Sequence, residues 1–135
     1  MRPAVQSDCI LAINALVAMR AKNPNKQMRY ADPDTALAYM QNAAGSGNAV
    51  VVDGYFIMYA VTPAWFSIEP FLIEELIIRI YPTDSPVEVA IAALDELKAL
   101  FNCVAIVAGD TQVGYMTPKY LANGFVRLGE QLIKE

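Results

Sequence analysis

Between Phe71 and Ala108 two apolar runs flank one helix signal, and this spacing restricts the fold more than any other feature of the chain. Phe71–Ile80 is rich in Ile and Leu, is bounded by Pro70 and Pro82, and reads as a long strand. Ser85-Pro86-Val87-Glu88 has the form of a capping box with Pro at the first helical position. Val89, Ala92, Ala93, Leu97 and Leu100 carry that helix to about Phe101. Cys103–Ala108 is wholly apolar and reads as a short strand buried on both faces. Two strands joined by a crossover helix are expected to lie parallel in one sheet.

The flanking segments supply the other elements. Ser7 is the expected cap of a first helix, with Asp8 in its opening turn and Ile10, Ile13, Leu16 and Val17 on one face. It ends near Arg20 to Lys22, before the turn signal Asn23-Pro24-Asn25. Asp32-Pro33 opens a second helix, which stops at Gly45-Ser46-Gly47. Ala49–Val52 and Tyr55–Val61 are strand-like, and Asp53-Gly54 between them favours a type I′ hairpin turn. Thr117-Pro118 starts a fourth helix that closes at Gly124; Phe125–Leu128 and Gln131–Ile133 read as final strands. The expectation is a single α/β domain over residues 1–135, with a mixed sheet (α+β) in the order α-α-β-β-β-α-β-α-β-β.

Composition narrows the chemistry. Among 135 residues there is no histidine, which excludes Ser-His-Asp and Cys-His catalytic units, HExxH zinc sites and a histidine pH switch. Proton transfer must fall to Asp, Glu, Tyr, Cys or Lys. Apolar residues make up 56%, which fits a rich core or a subunit interface and would suit a homodimer. Cys9 and Cys103 read as buried thiols of a cytoplasmic protein rather than a disulfide. No apolar stretch approaches the roughly 20 residues that span a bilayer, so no membrane association is expected. The net charge is −4, but residues 1–30 carry Arg2, Arg20, Lys22, Lys26 and Arg29 against Asp8 alone. That segment reads as a solvated helix end or an anion-facing lip; the acidic remainder argues against nucleic acid as a partner. No Asp, Glu and Cys spacing suggests a metal centre.

The element order, together with Tyr120-Leu121-Ala122-Asn123-Gly124-Phe125, resembles the GNAT superfamily of acetyl-coenzyme A-dependent N-acetyltransferases. The hexapeptide is similar to the family's Tyr-x-x-x-Gly-Phe ending. The run Ile80-Tyr81-Pro82-Thr83-Asp84-Ser85-Pro86-Val87-Glu88-Val89-Ala90 stands where the family carries its pyrophosphate loop. Pro82 and Ala90 match that pattern. Ser85 replaces Arg or Gln, and Glu88 replaces a glycine, bringing a negative charge toward the cofactor's phosphates. Short bacteriophage proteins of this type look similar in size and in their variable loop.

The resemblance implies acetyl transfer from acetyl-CoA to an amine of a small molecule or protein. The cofactor would sit between the two parallel strands. Ile78 and Ile80 would hold its pantetheine arm, and Ser85, Val89 and Ala90 its pyrophosphate. Tyr120 takes the place of the family's general acid, and Glu74 or Glu75 would serve as base. Alternation puts these two glutamates on opposite faces of the strand. The other expectation is a GNAT-fold protein that has lost the cofactor and works through protein contacts. Asp110, Thr111 and Gln112, and the aromatic group Tyr59, Trp65 and Phe66, are weaker candidates for a ligand site.

Overall fold

The structure, a computed structural model, describes residues 1–22, 31–109, 116–129, 132 and 134. Its elements are β1 (Arg2–Pro3), α1 (Gln6–Lys22), α2 (Pro33–Gly45), β2 (Ala49–Val52), β3 (Tyr55–Pro63), β4 (Pro70–Arg79), α3 (Glu88–Leu100), β5 (Ala105–Val107) and α4 (Thr117–Ala122). The strands form one sheet in the order β1-β2-β3-β4-β5. All pairs are antiparallel except β4 with β5, which is parallel, as the crossover helix requires.

Local chemistry explains the well-defined starts and turns. Asp32 accepts from the Thr35 N–H at 3.0 Å, and Pro33 takes the first helical position of α2. Asp53 and Gly54 have φ of 45° and 85°, the two left-handed residues of a type I′ turn. Gly54 is needed for a second reason. A Cβ there would lie 2.9 Å from the Tyr81 carbonyl, and the Gly54 carbonyl accepts the N–H groups of both Ile80 and Tyr81.

Two apolar layers cover the sheet. On one face Cys9, Ala12, Ile13 and Met40 of α1 and α2 pack against Val51, Phe56, Met58, Leu76 and Ile78. On the other, Ala90, Leu94 and Leu97 of α3 and Tyr120 of α4 pack against Val50, Ile57, Leu72 and Ile77. Leu72 and Leu76 therefore lie in different layers although they are four residues apart. The pairing of Met58 with Leu76 and of Tyr59 with Glu74 leaves Glu75 as an extra residue, a β-bulge that reverses the alternation of β4.

Several expectations are corrected. Ser7 lies inside α1 and does not cap it; the Asp8 carboxylate reaches back to the Val5 N–H at 2.9 Å instead. Asp8 is fully buried and also accepts from Arg2 at 2.7 and 2.9 Å and from the Tyr81 hydroxyl at 2.8 Å. These bonds fix the rotation of α1. Its buried stripe is Cys9, Ala12 and Ile13, while Ile10 and Val17 are exposed. The capping box does not form. Val87 already has helical backbone angles, Pro86 accepts from the Val89 N–H, and the Glu88 side chain turns to Lys119. β5 is shorter than Cys103–Ala108 and only half-buried, because it pairs with β4 over three residues at the edge of the sheet. Phe125–Leu128 is not a strand. The Phe125 N–H returns to the Tyr120 carbonyl, its ring stacks 4.9 Å from that of Tyr120, and Val126 and Leu128 are left exposed. Asn23–Asn25, Asp110–Gln112, and Gln131 and Ile133 of the last expected strand lie outside the described residues.

Candidate active site

β5 pairs with β4 only at Phe71, Leu72 and Ile73, while β4 continues to Arg79. Among the described residues no strand pairs with the Glu74–Arg79 edge of β4. A cavity of about 420 Å³ lies along the end of this edge. It is lined by Met19 and Lys22 of α1, by Ile77, Ile78 and Arg79 of β4, and by Val87 and Met116. Ile77 and Ile78 belong to opposite apolar layers, so the cavity wraps around the strand edge and reaches both faces.

The direction of the β4 amides follows from two hydrogen bonds. The Tyr59 N–H points to β2, donating to the Asn48 carbonyl, and the Ile80 N–H points to the β2–β3 turn, donating to the Gly54 carbonyl. Amides alternate in direction along a strand. Phe56 and Ile78, which are paired, therefore direct their N–H groups at each other, while those of Ile77 and Arg79 face away from β3. The amides of Ile78 and Ile80, expected beside the pantetheine arm, are thus turned to β3 and to the β2–β3 turn.

The Tyr120 hydroxyl donates to Glu74 Oε2 at 3.0 Å, and both side chains are buried. The helix of Tyr120 begins at the cavity-lining Met116, whose carbonyl accepts the Tyr120 N–H. Glu75 projects to the opposite face, as alternation predicts, and accepts from the Tyr39 hydroxyl of α2 at 2.7 Å. That bond raises the Tyr39 pKa above its ordinary value, with burial adding to the effect. Glu75 is half-exposed, whereas Glu74 is only 7% exposed.

The residues expected at the pyrophosphate are already engaged within the chain. The Ser85 N–H donates to the Thr83 hydroxyl at 3.1 Å. The Val89 and Ala90 N–H groups close the first turn on Pro86 and Val87. Glu88 Oε1 forms an ion pair with Lys119 at 3.1 Å, while Oε2 is buried without a partner. Its own backbone N–H, and then Lys119, hold the Glu88 carboxyl below the usual range.

A different group joins this loop to β4. The Tyr55 hydroxyl donates to the Ser85 carbonyl at 2.8 Å and accepts from the Arg79 guanidinium at 3.1 Å. The guanidinium also lies 5.5 Å from the centre of the Tyr55 ring, within cation–π range. Sequence reasoning missed this cluster. The available signal was Arg79 itself, a lone cation at the end of an Ile-rich strand.

The remaining candidates separate. Trp65 is 95% exposed and stacks only on Phe66, whereas Tyr59 is buried and bonded to the Gly47 carbonyl. Cys9 and Cys103 are buried, and burial raises the pKa of both thiols. Among the described residues no cluster of Cys, Asp and Glu is placed to hold a metal, and no helix is long and apolar enough to cross a membrane.

An antiparallel sheet that ends in a parallel pair joined by a crossover helix belongs to the fold of the GNAT superfamily of N-acetyltransferases; this chain has that fold. Solved structures of the same fold match along the whole chain. An aminoglycoside N-acetyltransferase in complex with CoA aligns with a TM-score of 0.67 at 13% identity, over 99% of this chain and 91% of the other. A ribosomal-protein-alanine N-acetyltransferase from Brucella melitensis biovar Abortus 2308 gives 0.63 at 13% identity, over 98% and 96%. A transcriptional regulator from Bacillus halodurans C-125 gives 0.67 at 17% identity, over 99% and 97%. No family sequence model matches the chain, and no curated protein matches it in sequence.

Proposed function

We propose that the protein transfers an acetyl group from acetyl-CoA to an amine. The observation that carries this reading is the cavity wrapped around the end of β4, beyond its parallel pairing with β5, with a buried tyrosine–glutamate pair one helical turn from the cavity-lining Met116. The CoA complex of the aminoglycoside N-acetyltransferase supports the choice of acyl donor. The apolar walls of Ile77, Ile78, Val87 and Met116 suit an extended pantetheine arm.

Acetyl-CoA supplies an acyl group activated as a thioester. Tyr120 holds a proton on its hydroxyl, oriented by Glu74, and is the residue placed to give a proton to a departing thiolate. Glu74 accepts the hydroxyl's hydrogen bond at rest and so holds Tyr120 in place; the proton leaves for the thiolate sulfur when the hydroxyl turns from Glu74, so Glu74 orients Tyr120 rather than acting on the amine. Glu75, on the other face and partly open to water, takes the role of base for the amine.

Thermal melting with acetyl-CoA tests donor binding. A ligand that binds only the folded state, at 100 times its dissociation constant, adds about 2.7 kcal/mol. Release of free thiol in the presence of a panel of primary amines tests transfer. Failure of millimolar acetyl-CoA to raise the melting temperature would overturn the reading.

A further inference from the structure

We propose that Arg2 and Asp8, through the Tyr81 hydroxyl, position the segment from Ile80 to Val87 and so hold two walls of the cavity together for the acyl donor. The donor's part in this rests on the acetyl-CoA reading above. The segment joins β4 to α3 and belongs to neither. Arg79 just before it and Val87 at its end both line the cavity. Burial does little to hold it, since Tyr81, Pro82, Asp84 and Pro86 are exposed. Polar bonds hold it instead. From the β2–β3 hairpin, the Gly54 carbonyl accepts the Ile80 and Tyr81 N–H groups, and the Tyr55 hydroxyl donates to the Ser85 carbonyl. Toward α1, the Tyr81 hydroxyl donates to Asp8 Oδ1 at 2.8 Å.

Asp8 is a rigid acceptor for that bond. Its carboxylate is fully buried, and each oxygen accepts two hydrogen bonds: Oδ1 from Arg2 and Tyr81, Oδ2 from Arg2 and the Val5 N–H. Arg2 grips it as a fork, which fixes the plane of the carboxylate. Arg2 is tied in turn to β2, where it pairs with Val51. A buried carboxylate has no solvent to replace a lost donor, so the bond holds Tyr81 although its ring is exposed. Asp8 lies in the first turn of α1, and Ala15, Ala18 and Met19 further along that helix line the cavity. The Tyr81–Asp8 bond therefore ties the α1 wall to the segment that carries Val87. Arg2 and Asp8 are themselves outside the cavity lining, so both act as positioning residues.

The test compares Tyr81→Phe, which keeps the ring and removes the hydroxyl, with wild type by amide hydrogen exchange and by calorimetric titration with acetyl-CoA. Exchange across residues 80–87 is expected to speed up about tenfold, the weight of one hydrogen bond to a charged group. Acetyl-CoA affinity is expected to fall several-fold, because the donor must then order the segment as it binds. Asp32→Ala, which removes the cap of α2, is the control for general destabilisation: it lowers the melting temperature but leaves exchange at 80–87 and donor affinity unchanged. Arg2→Gln is expected to weaken donor binding in the wild type and to add nothing in Tyr81→Phe. Wild-type exchange in Tyr81→Phe overturns the proposal, as do wild-type donor affinity, additive losses in the double variant, or equal effects in Asp32→Ala. If the wild type itself binds no acetyl-CoA, the acetyl-CoA reading fails and the exchange comparison alone decides whether Tyr81 holds the segment.

Discussion

Tyr120 and Glu74 meet at 3.0 Å across the space between α4 and β4, with both side chains buried. They are 46 residues apart in sequence, and the bond joins the helix that follows β5 to the long strand beside it. Tyr120→Phe removes the donor and leaves a buried carboxylate oxygen short of one hydrogen bond, at a cost of about 1–3 kcal/mol. Under the proposed chemistry it also lowers turnover while acetyl-CoA affinity holds. Denaturant midpoints and single-turnover rates measure the two effects. A variant with wild-type turnover removes Tyr120 from the mechanism.

Glu75 sits on the other face and is shared with Tyr39. Loss of a general base typically costs 10²- to 10⁴-fold in rate. Glu75→Gln is accordingly expected to reduce kcat/KM for the amine by about 100-fold or more, with the fold and donor binding intact. Tyr39→Phe, which keeps the carboxylate, is expected to have a much smaller effect. Equal rates in Glu75→Gln and wild type would assign the base elsewhere.

The buried Asp8 carboxylate is held well below the usual carboxylate range, first by its hydrogen bonds from Arg2, with further bonds from the Val5 N–H and Tyr81. A depressed folded-state value means the stabilisation is present above the unfolded value, near pH 4, and is lost as pH falls toward the folded value. Wild-type stability should therefore decline below about pH 4, and Asp8→Asn should flatten that decline while lowering stability at neutral pH. Arg2→Ala should cost about 1–2 kcal/mol at neutral pH, discounted because Arg2 is half-exposed. Melting curves from pH 2 to pH 7 check both. An unchanged acid limb in Asp8→Asn would show that other carboxylates dominate.

Gly54 has φ of 85°, and an added Cβ meets the Tyr81 carbonyl at 2.9 Å. The left-handed backbone alone costs a non-glycine residue about 1–2 kcal/mol, and the clash adds to it. Gly54→Ala should therefore lower the melting temperature measurably. Because the Gly54 carbonyl accepts from Ile80 and Tyr81, the shift should reach the end of β4 and weaken donor binding as well. Wild-type affinity in a destabilised Gly54→Ala would show that the turn and the cavity are uncoupled.

Much of the fold was legible because its signals are local. Asp32-Pro33 and Asp53-Gly54 act through bonds and torsions within four residues, and both were placed correctly. The capping box was misread because Ser85 and Glu88 found better partners elsewhere, in Thr83 and in Lys119. The candidate site was only half legible. Tyr120 and Glu74 were named, but as an acid and a possible base acting separately. Their bond depends on how α4 lies over β4, which no short pattern encodes. The cavity that brings Lys22 and Arg79 to one lining is likewise not encoded locally, because it joins the end of α1 to the end of β4.

Sequence alone determined the four helices and the strands β2 to β5, the hairpin turn, the parallel pairing around α3, and a chemistry without histidine, but neither β1 nor the irregular path of Phe125–Leu128. These follow from local torsional preferences, apolar period and composition. Tertiary structure decided the faces. One extra residue in β4, Glu75, reverses the alternation, so that Leu76 and Ile78 pack under α1 and α2 while Ile77 packs under α3. The same reversal sets which amides of β4 face away from β3. A bulge is a matter of register between two strands, settled by the packing of both apolar layers at once, and neither strand carries it in its own residues.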